Sequence, residues 1–306
     1  MHRRNFIIQS GFLLGASGLL PAVAEAAPDD ETLVILHTND VHSRLDPFPM
    51  DGSRNEGMGG VAARQKLIND IRKEHKHVLL LDAGDIFQGT PYFNFFKGEP
   101  EIKMMTALGY DAGTMGNHDF DGGIDNFTRQ LDYADFPIII SNYNFHNTSL
   151  YGHTKMYRTF KKGRLKVGVF GLGVKLQGLV PQSLYGSTVY EDPLGVSNEM
   201  AKHLKYTEKC DLVICLSHLG YEYGNPNIIS DKILAAASEN IDIIIGGHTH
   251  TFLSKPDVVI NKKNEQVVIN QVGWAGIYLG RLDISFSRVN KKEFMQSNNI
   301  AVEEKT

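Results

Sequence analysis

Five short apolar segments of this sequence each end on residues of the types that bind metal ions. Runs of this length bounded by glycine are typical of buried strands, and an open α/β sheet places its functional groups beyond the carboxyl ends of such strands. We therefore expect the polar residues at the ends of the five runs to converge on one edge of the fold. They are Asp40, His42, Asp85, Asn117, His118, His218, His248 and His250.

Two of these groups share a spacing, because one residue separates Asp40 from His42 and one residue separates His248 from His250. Residues i and i+2 at the end of a strand project to the same side, so each pair could approach one cation. A single Asp-x-His triplet arises by chance, and a lone histidine after an apolar run is more often a hydrogen-bonded core residue. If no metal ion were bound, five such groups would bury many unpaired polar atoms at a large free-energy cost. The sequence therefore predicts a dinuclear metal site.

The composition is that of an ordinary globular protein. Of the 306 residues, 42% are hydrophobic and 22% are charged, and the formal net charge is −4. No segment combines clustered lysine and arginine with aromatic residues, which argues against a nucleic-acid polymer as the main partner. The two cysteines, Cys210 and Cys215, are an odd number of positions apart in a predicted strand. We expect them to face opposite sides and to pack in the core without forming a disulfide.

Residues 1–26 have the features of a secretory leader. A basic start containing Arg3 and Arg4 precedes an apolar stretch, and Ala24-Glu25-Ala26 matches a small-residue cleavage site. The paired arginines resemble the twin-arginine type of bacterial export signal, with an ordinary secretory signal as the alternative. We expect the mature protein to be exported to the periplasm or the exterior of a bacterium. No later segment is apolar enough to serve as a transmembrane anchor after the leader is removed.

After the leader, strand and helix patterns alternate through one domain, residues 27–306, without an internal repeat. Lys162-Gly163 predicts a hairpin within residues 156–170. The last two predicted strands, 266–270 and 278–286, have no helix between them and predict a second, partly antiparallel sheet. The other predicted strands are 32–38, 77–81, 111–115, 211–216 and 241–245, and the predicted helices are 60–75, 99–108, 123–133, 193–208 and 227–238.

Together the motifs carry a family resemblance. The order D-x-H, G-D, G-N-H-[DE], a histidine after a strand and G-H-x-H, spread over residues 32–286, resembles the calcineurin-like metallophosphoesterases. Within that family, the segments LHTNDVHSRL, LDAGDIFQGT, MGNHDFD, LSHLG and GGHTHT resemble the catalytic domain of the exported 5′-nucleotidases. The resemblance implies an α/β fold in which two mixed β-sheets are sandwiched between helices (αββα).

The same resemblance implies a set of ligands. One metal ion would be held by Asp40, His42 and His250, and Asp85 would bridge it to a second ion. The second ion would be held by Asn117, His218 and His248. Oxygen and nitrogen ligands without thiolate suit two divalent ions of Zn, Mn, Fe or Co.

Five further residues near the predicted ligands receive an interpretation of their own. In the resembling family His118 faces the substrate, and Asp121 would orient it through a hydrogen bond; the alternative makes His118 a packing residue. Asp119 is expected to brace a loop. Arg44 could meet a phosphate or only solvate its loop, and His37 is expected to pack in the core and not to bind metal.

The resemblance implies hydrolysis of nucleoside 5′-monophosphates or similar small phosphate monoesters by metal-bound hydroxide, in nucleotide catabolism. One alternative is the same chemistry on a cyclic nucleotide or on the pyrophosphate of a nucleotide sugar. A lesser alternative is a metal-stabilised binding or accessory protein. Exported 5′-nucleotidases also have a C-terminal domain that grips the nucleotide. We expect that domain to be absent here and a separately encoded specificity domain to be the partner.

Overall fold

The computed structural model describes residues 7–8, 31–286 and 292–303. Apart from Ile7–Ile8, the predicted leader lies outside the described residues, so its assignment stays a prediction. No helix in the described part of the chain is long and apolar enough to cross a membrane.

The strands and helices alternate along the chain as the sequence predicts. The strands are β1 (Ile7–Ile8), β2 (Glu31–Thr38), β3 (Val78–Asp82), β4 (Ala112–Gly113), β5 (Tyr143–Asn144), β6 (Tyr157–Lys162), β7 (Leu165–Gly173), β8 (Val189–Tyr190), β9 (Leu212–His218), β10 (Ile243–Gly246), β11 (Asp257–Ile260), β12 (Gln266–Asn270), β13 (Tyr278–Phe286) and β14 (Lys292–Ala301). The α-helices are α1 (Val61–Glu74), α2 (Pro91–Phe96), α3 (Glu99–Leu108), α4 (Ile124–Gln130), α5 (Gln182–Tyr185), α6 (Pro193–Lys202) and α7 (Asp231–Ala237). Short 3₁₀ turns lie at His118–Phe120 and Leu131–Tyr133, and one π turn extends α6 over His203–Thr207.

Two mixed six-stranded sheets form the centre of the fold, in the orders β1-β14-β13-β2-β3-β4 and β11-β12-β10-β9-β7-β6. Strands β2, β3 and β4 run parallel in the first sheet, and β7, β9, β10 and β12 run parallel in the second. The predicted second, partly antiparallel sheet is present, since β11 pairs antiparallel with β12 and β6 with β7. The strands β12 and β13 themselves lie in different sheets. Strand β12 lies parallel to β10, whereas β13 crosses to the other sheet and pairs antiparallel with β2.

The side chains of β2 face alternately the other sheet and the covering helices, which shows how the layers of the fold pack together. Leu33 and Ile35 point between the sheets, where they pack with residues such as Ile214 of β9. Val34 and Leu36 point to the other face, where helices α1 and α3 cover the sheet. Helices α6 and α7 cover the outer face of the second sheet. Because successive side chains of a strand face opposite sides, this pattern confirms the predicted sandwich of two sheets between helices.

Cys210 and Cys215 are both buried and are not joined by a disulfide, as expected. The reason given for this was wrong, because both pack in the same core cluster behind the second sheet. Strand β9 begins at Leu212, so Cys210 lies before the strand and does not follow its alternation. The helix predicted at 227–238 also begins later, at Asp231, since the Ser230 side chain caps it by accepting from the N–H of Ile233.

Candidate metal centre

The carboxyl ends of the parallel strands of both sheets meet at one edge, and the predicted ligands converge there. Asp40, His42 and His250 form one group, and Asp85, His218 and His248 form a second. Within each group the nearest ligand atoms all lie within 4.8 Å of one another. The groups adjoin: His42 Nε2 lies 3.8 Å from Asp85 Oδ2, and His218 Nε2 lies 3.9 Å from Asp40 Oδ1. The arrangement has room for two neighbouring cations.

The backbone conformation of the ligands differs from the expected strand ends. Strands β2 and β10 end at Thr38 and Gly246, before the paired residues. The residues concerned adopt left-handed conformations, with φ of 50° at Asp40, 52° at His42, 55° at Asp85, 73° at His248 and 52° at His250. Such a conformation costs a residue with a Cβ about 1–3 kcal/mol and clusters at functional sites.

Hydrogen bonds between neighbouring loops hold these strained turns. The N–H of Asp40 donates to Gly84 O at 2.9 Å, and the N–H of His42 donates to Asp85 O at 3.0 Å. The N–H of His248 donates to both carboxylate oxygens of Asp40 at 3.0 Å. The loops after β2, β3 and β10 therefore fix one another.

The histidine tautomers suit metal binding. His42 Nδ1 lies 3.1 Å from Gln88 O, and His218 Nδ1 lies 2.7 Å from Ala83 O. A carbonyl oxygen can only accept, so each Nδ1 carries a proton and each Nε2 is the nitrogen left to bind a metal ion. His42 Nε2 lies only 3.0 Å from His250 Nε2, which is the geometry of two imidazoles directed at one point.

Two buried polar atoms at the centre make no hydrogen bond of ordinary geometry. They are Asn117 Oδ1 and His218 Nε2, the latter lying 3.1 Å from Asp85 Oδ2. Gly116, which precedes Asn117, packs so closely here that a Cβ would lie 2.1 Å from Asp85 Oδ1. A buried acceptor without a partner costs about 1–3 kcal/mol, so both atoms fit a metal ion as their missing partner.

Burial and charge set the ionisation of the histidines in opposite directions. Burial lowers the pKa of His248 to about 4 and also lowers the pKa of His42. Both rings are therefore neutral, which is the state that binds a metal. Burial also acts to lower the pKa of His218, but the carboxylates of Asp85 and Asp40 outweigh it and raise that pKa to about 10. A divalent cation beside Asp85 would take the place of this proton.

His118 and Asp121 lie at the open side of the centre. His118 Nδ1 is 2.7 Å from Asp121 Oδ2, and this hydrogen bond is the main cause of the raised pKa of His118. The His118 ring centroid lies 5.2 Å from that of His42, and its side chain is 39% exposed. The two residues thus form the predicted hydrogen bond, and the His118 ring faces the cleft. The catalytic role of the pair stays a prediction.

The carboxylate of Asp119 braces the loop that carries Asp85, as expected. It accepts from the N–H groups of Asp85, Ile86, Phe87 and Gly116 at 2.8–3.1 Å. His37 is fully buried, lies 2.8 Å from Asn270 through its Nε2, and takes no part in the centre. Burial lowers its pKa to about 3.

A cleft opens over the ligands, and part of its lining was not predicted. Trp274 lies beside His250, with its ring 6.0 Å away and inclined by 12°. A single tryptophan in a glycine-bounded turn, VGWAG, was the signal that could have indicated it. Arg44 also lines the cleft; its guanidinium lies 4.2 Å over Phe48 and its buried Nε has no hydrogen-bond partner. The cleft is lined by His42, Arg44, Gln88, Gly89, His118, His250, Trp274 and Ala275.

Comparison with known proteins agrees with this geometry. Residues 33–252 match the profile of the calcineurin-like phosphoesterases. The snake venom 5′-nucleotidase of Gloydius brevicauda is 34% identical over 296 residues, which are 90% of this chain and 48% of that protein. The trifunctional nucleotide phosphoesterase protein YfkN of Bacillus subtilis is 32% identical over 87% of this chain and 19% of its own length.

Among solved structures, a 5′-nucleotidase also has a similar fold. The 5′-nucleotidase precursor from Thermus thermophilus superposes with a TM-score of 0.80 and 30% identity, over 89% of this chain and 55% of that one. The chain thus spans about half the length of the venom and Thermus proteins. The resemblance and the fold class that the sequence predicts are confirmed.

Proposed function

Because the chain belongs to the calcineurin-like phosphoesterase family, we propose that it is a metal-dependent hydrolase of nucleoside 5′-monophosphates or similar small phosphate monoesters. The observation that carries the proposal is the pair of adjoining ligand groups at the base of an open cleft. The orphaned Asn117 Oδ1 and His218 Nε2 support it. The names of the venom and Thermus relatives support the nucleotide as substrate.

Each metal ion would have its own ligands. Asp40, His42 and His250 would hold one ion, while Asn117, His218 and His248 would hold the other. Asp85 would serve both, since its Oδ2 lies 3.1 Å from His218 Nε2 and 3.8 Å from His42 Nε2. Two divalent ions, of Zn, Mn, Fe or Co, would supply Lewis acidity that activates water and neutralises phosphoryl oxygens.

The protein's own groups would handle the leaving oxygen and the phosphate charge. Asp121 accepts the Nδ1 proton of His118 and raises the pKa of the ring, which favours the imidazolium form, whose Nε2–H would face the cleft. From there it would donate to the leaving oxygen or hydrogen-bond a phosphoryl oxygen as charge develops. Arg44, at the same cleft, would add a fixed positive charge.

A second candidate is cleavage of a nucleotide diester or pyrophosphate at the same centre. The name of the Bacillus relative, a trifunctional nucleotide phosphoesterase, favours this second candidate. The same ligands and His118 would act on either bond. An accessory protein with a structural metal is disfavoured, since structural sites are closed and the His118–Asp121 pair faces an open cleft.

Export and a partner domain belong to the same proposal. The leader-like residues 1–26 support export into a bacterial periplasm or beyond it, which cell fractionation and N-terminal sequencing of the mature protein would test. The resemblance to 5′-nucleotidases with a nucleotide-gripping domain motivates a specificity domain as a partner of residues 27–306. Purification without any partner, combined with full activity toward nucleotides, would contradict that part.

The test of the activity is phosphate release after chelator treatment and addition of Mn²⁺ or Zn²⁺. AMP, 2′,3′-cyclic AMP, UDP-glucose and an aryl phosphate would be compared, with a coupled phosphatase for the diester and pyrophosphate products. We expect metal-dependent release from AMP. Release from UDP-glucose or the cyclic nucleotide alone would favour the second candidate, and no release from any ester would refute the proposal.

A further inference from the structure

We propose that Asn39 is a positioning residue of the metal centre: its side-chain amide hydrogen-bonds one carboxylate oxygen of Asp40, so that only the other oxygen is left to bind a metal ion. Asn39 lies between the end of strand β2 and Asp40, and it is 1% exposed. The inference rests on the proposed function, because it concerns a ligand of the metal ions proposed there.

The main chain of the turn after strand β12 fixes the orientation of the Asn39 amide. Asn39 Oδ1 accepts from the N–H of Val272 at 3.0 Å, and Asn39 Nδ2 donates to Gly273 O at 2.7 Å. A main-chain N–H can only donate and a carbonyl oxygen can only accept, so the oxygen and the nitrogen of this amide cannot exchange places. The NH₂ group is therefore the part that also meets Asp40 Oδ2, which lies 2.7 Å from Nδ2.

The two carboxylate oxygens of Asp40 have different surroundings. Oδ2 accepts from Asn39 Nδ2 at 2.7 Å and from the N–H of His248 at 3.0 Å. Oδ1 lies 3.4 Å from His250 Nε2 and 4.0 Å from His42 Nε2. Asn39 thus engages one oxygen, and the other faces the imidazoles that would share a cation with it.

This arrangement favours binding of a cation through a single oxygen of Asp40. A carboxylate can bind a cation through one oxygen or through both. If Oδ2 turned to the cation, the buried NH₂ group of Asn39 would lose an acceptor, which is costly where water cannot replace it. Binding through Oδ1 alone leaves a coordination position free for water or for the phosphate ester, as catalytic metal sites require.

Asn39 also sets the position of Asp40 from the opposite sheet. Asn39 follows β2 of one sheet, and the turn that it contacts follows β12 of the other. The N–H of Ala275, in the same turn, donates to Asp40 O at 2.7 Å. The Asp40 carboxylate is therefore aligned with the sheet whose strand β10 precedes His248 and His250.

Co²⁺ spectra measure metal coordination without turnover. Fewer ligand atoms around Co²⁺ give stronger visible absorption. Chelator-treated wild type loaded with Co²⁺ should therefore absorb more strongly per bound ion than Asn39→Ala, in which Asp40 can bind through both oxygens. The affinity of Asn39→Ala for Co²⁺ should also fall about 10–100-fold, as is typical when a hydrogen-bond partner of a metal ligand is removed.

Asn261→Ala is the matched control for loss of a buried amide. Asn261 is 4% exposed, and its Oδ1 accepts from the main-chain N–H groups of Lys263 and Glu265. These residues form the hairpin before β12, at the end of the strand opposite to the ligands. Both variants should have a lower Tm than the wild type, but only Asn39→Ala should change the Co²⁺ spectrum.

A crystal structure of the Zn²⁺-loaded wild type tests the inference even if Asn39→Ala does not fold. Only Oδ1 of Asp40 should lie within about 2.0–2.2 Å of a metal ion. Metal bound to Oδ2, or an unchanged Co²⁺ spectrum in folded Asn39→Ala, would overturn the inference and leave the hydrolase proposal intact. Wild type that binds no Co²⁺ would refute both, whereas Co²⁺ binding without turnover of any ester would refute the hydrolase alone.

Discussion

The carboxylate of Asp119 accepts a hydrogen bond from the main-chain N–H of Asp85 at 3.0 Å, and its other oxygen accepts from Ile86 and Phe87. A buried side chain that binds no metal thus sets the position of the carboxylate between the two ligand groups. Its hydrogen bonds are with main-chain N–H groups, so it acts on the site by positioning the loop that carries Asp85.

Replacing this brace should loosen the centre while all ligands remain. Asp119→Asn puts an NH₂ group where main-chain N–H donors need an acceptor. We expect the free energy of unfolding to fall by about 1–3 kcal/mol and metal affinity to fall about 10–100-fold. Urea unfolding and competition with a chelating dye measure the two effects. Asp132→Asn, at an exposed aspartate, is the control, and unchanged affinity in Asp119→Asn would refute the brace.

Asn117 should matter only when metal is bound. Its Oδ1 is buried without a hydrogen-bond partner. Asn117→Leu removes this unsatisfied acceptor and puts an apolar side chain of similar volume in its place. In chelator-treated protein we expect the Tm of Asn117→Leu to equal or exceed that of the wild type. The rise in Tm on adding Mn²⁺ or Zn²⁺ should shrink, because ligand binding to the native state is the source of that rise. Equal loss of Tm with and without metal would indicate a purely structural residue.

His118 should contribute to turnover and not to metal content. His118→Ala is expected to lower kcat at least about 10²-fold, because positioned acid–base or electrostatic groups typically contribute that much. Elemental analysis should show wild-type metal content. His153→Ala, at an exposed histidine, should match the wild type in both respects. Metal loss in His118→Ala would place His118 among the ligands, and full activity would make it a packing residue.

Asp231 is expected to make the stability of the protein depend on pH. Burial is the main cause that raises its pKa to about 8, with Ser217, His218 and Asp40 as the other groups that act on it. Because the folded state holds this proton more tightly than the unfolded state, its stabilisation is complete below about pH 4 and is lost as pH rises toward 8.

The variant Asp231→Asn keeps an acceptor for the Ser217 hydroxyl and cannot ionise. Relative to it, the wild type should lose up to about 1.4 kcal/mol of unfolding free energy per pH unit between pH 5 and 8. Urea unfolding in chelator gives this slope without contribution from metal binding. Asp135→Asn replaces an exposed aspartate and is the control. Its unfolding free energy should change with pH as that of the wild type does. Parallel curves for Asp231→Asn would mean that Asp231 is ionised in the folded protein.

The candidate ligands that the structure brings together could be identified from the sequence because the information is local. Asp40 or His250 is recognisable from its type and from its place after an apolar run. The left-handed backbone at those residues was not predictable, since neighbouring loops impose it through bonds such as Asp40 N–H to Gly84 O. Similarly, no local pattern at β13 indicates that its partner is β2.

Side chains that act through distant contacts were also missed. Trp274 gains its position from rings that lie far from it in sequence, His250 and Phe48. The Phe252 ring packs against Gly273 and Tyr278, which lie more than twenty residues later in the chain. Such surfaces are products of the assembled fold, and one segment read alone does not indicate them.

Each ligand group takes residues from both sheets. His250 and His248 follow β10 of one sheet, whereas Asp40 and Asp85 follow β2 and β3 of the other. Neither sheet alone carries a full group, so a cation that used every residue of a group could bind only after the two sheets had docked. The metal content of the protein would then report whether the two halves of the sandwich are correctly aligned.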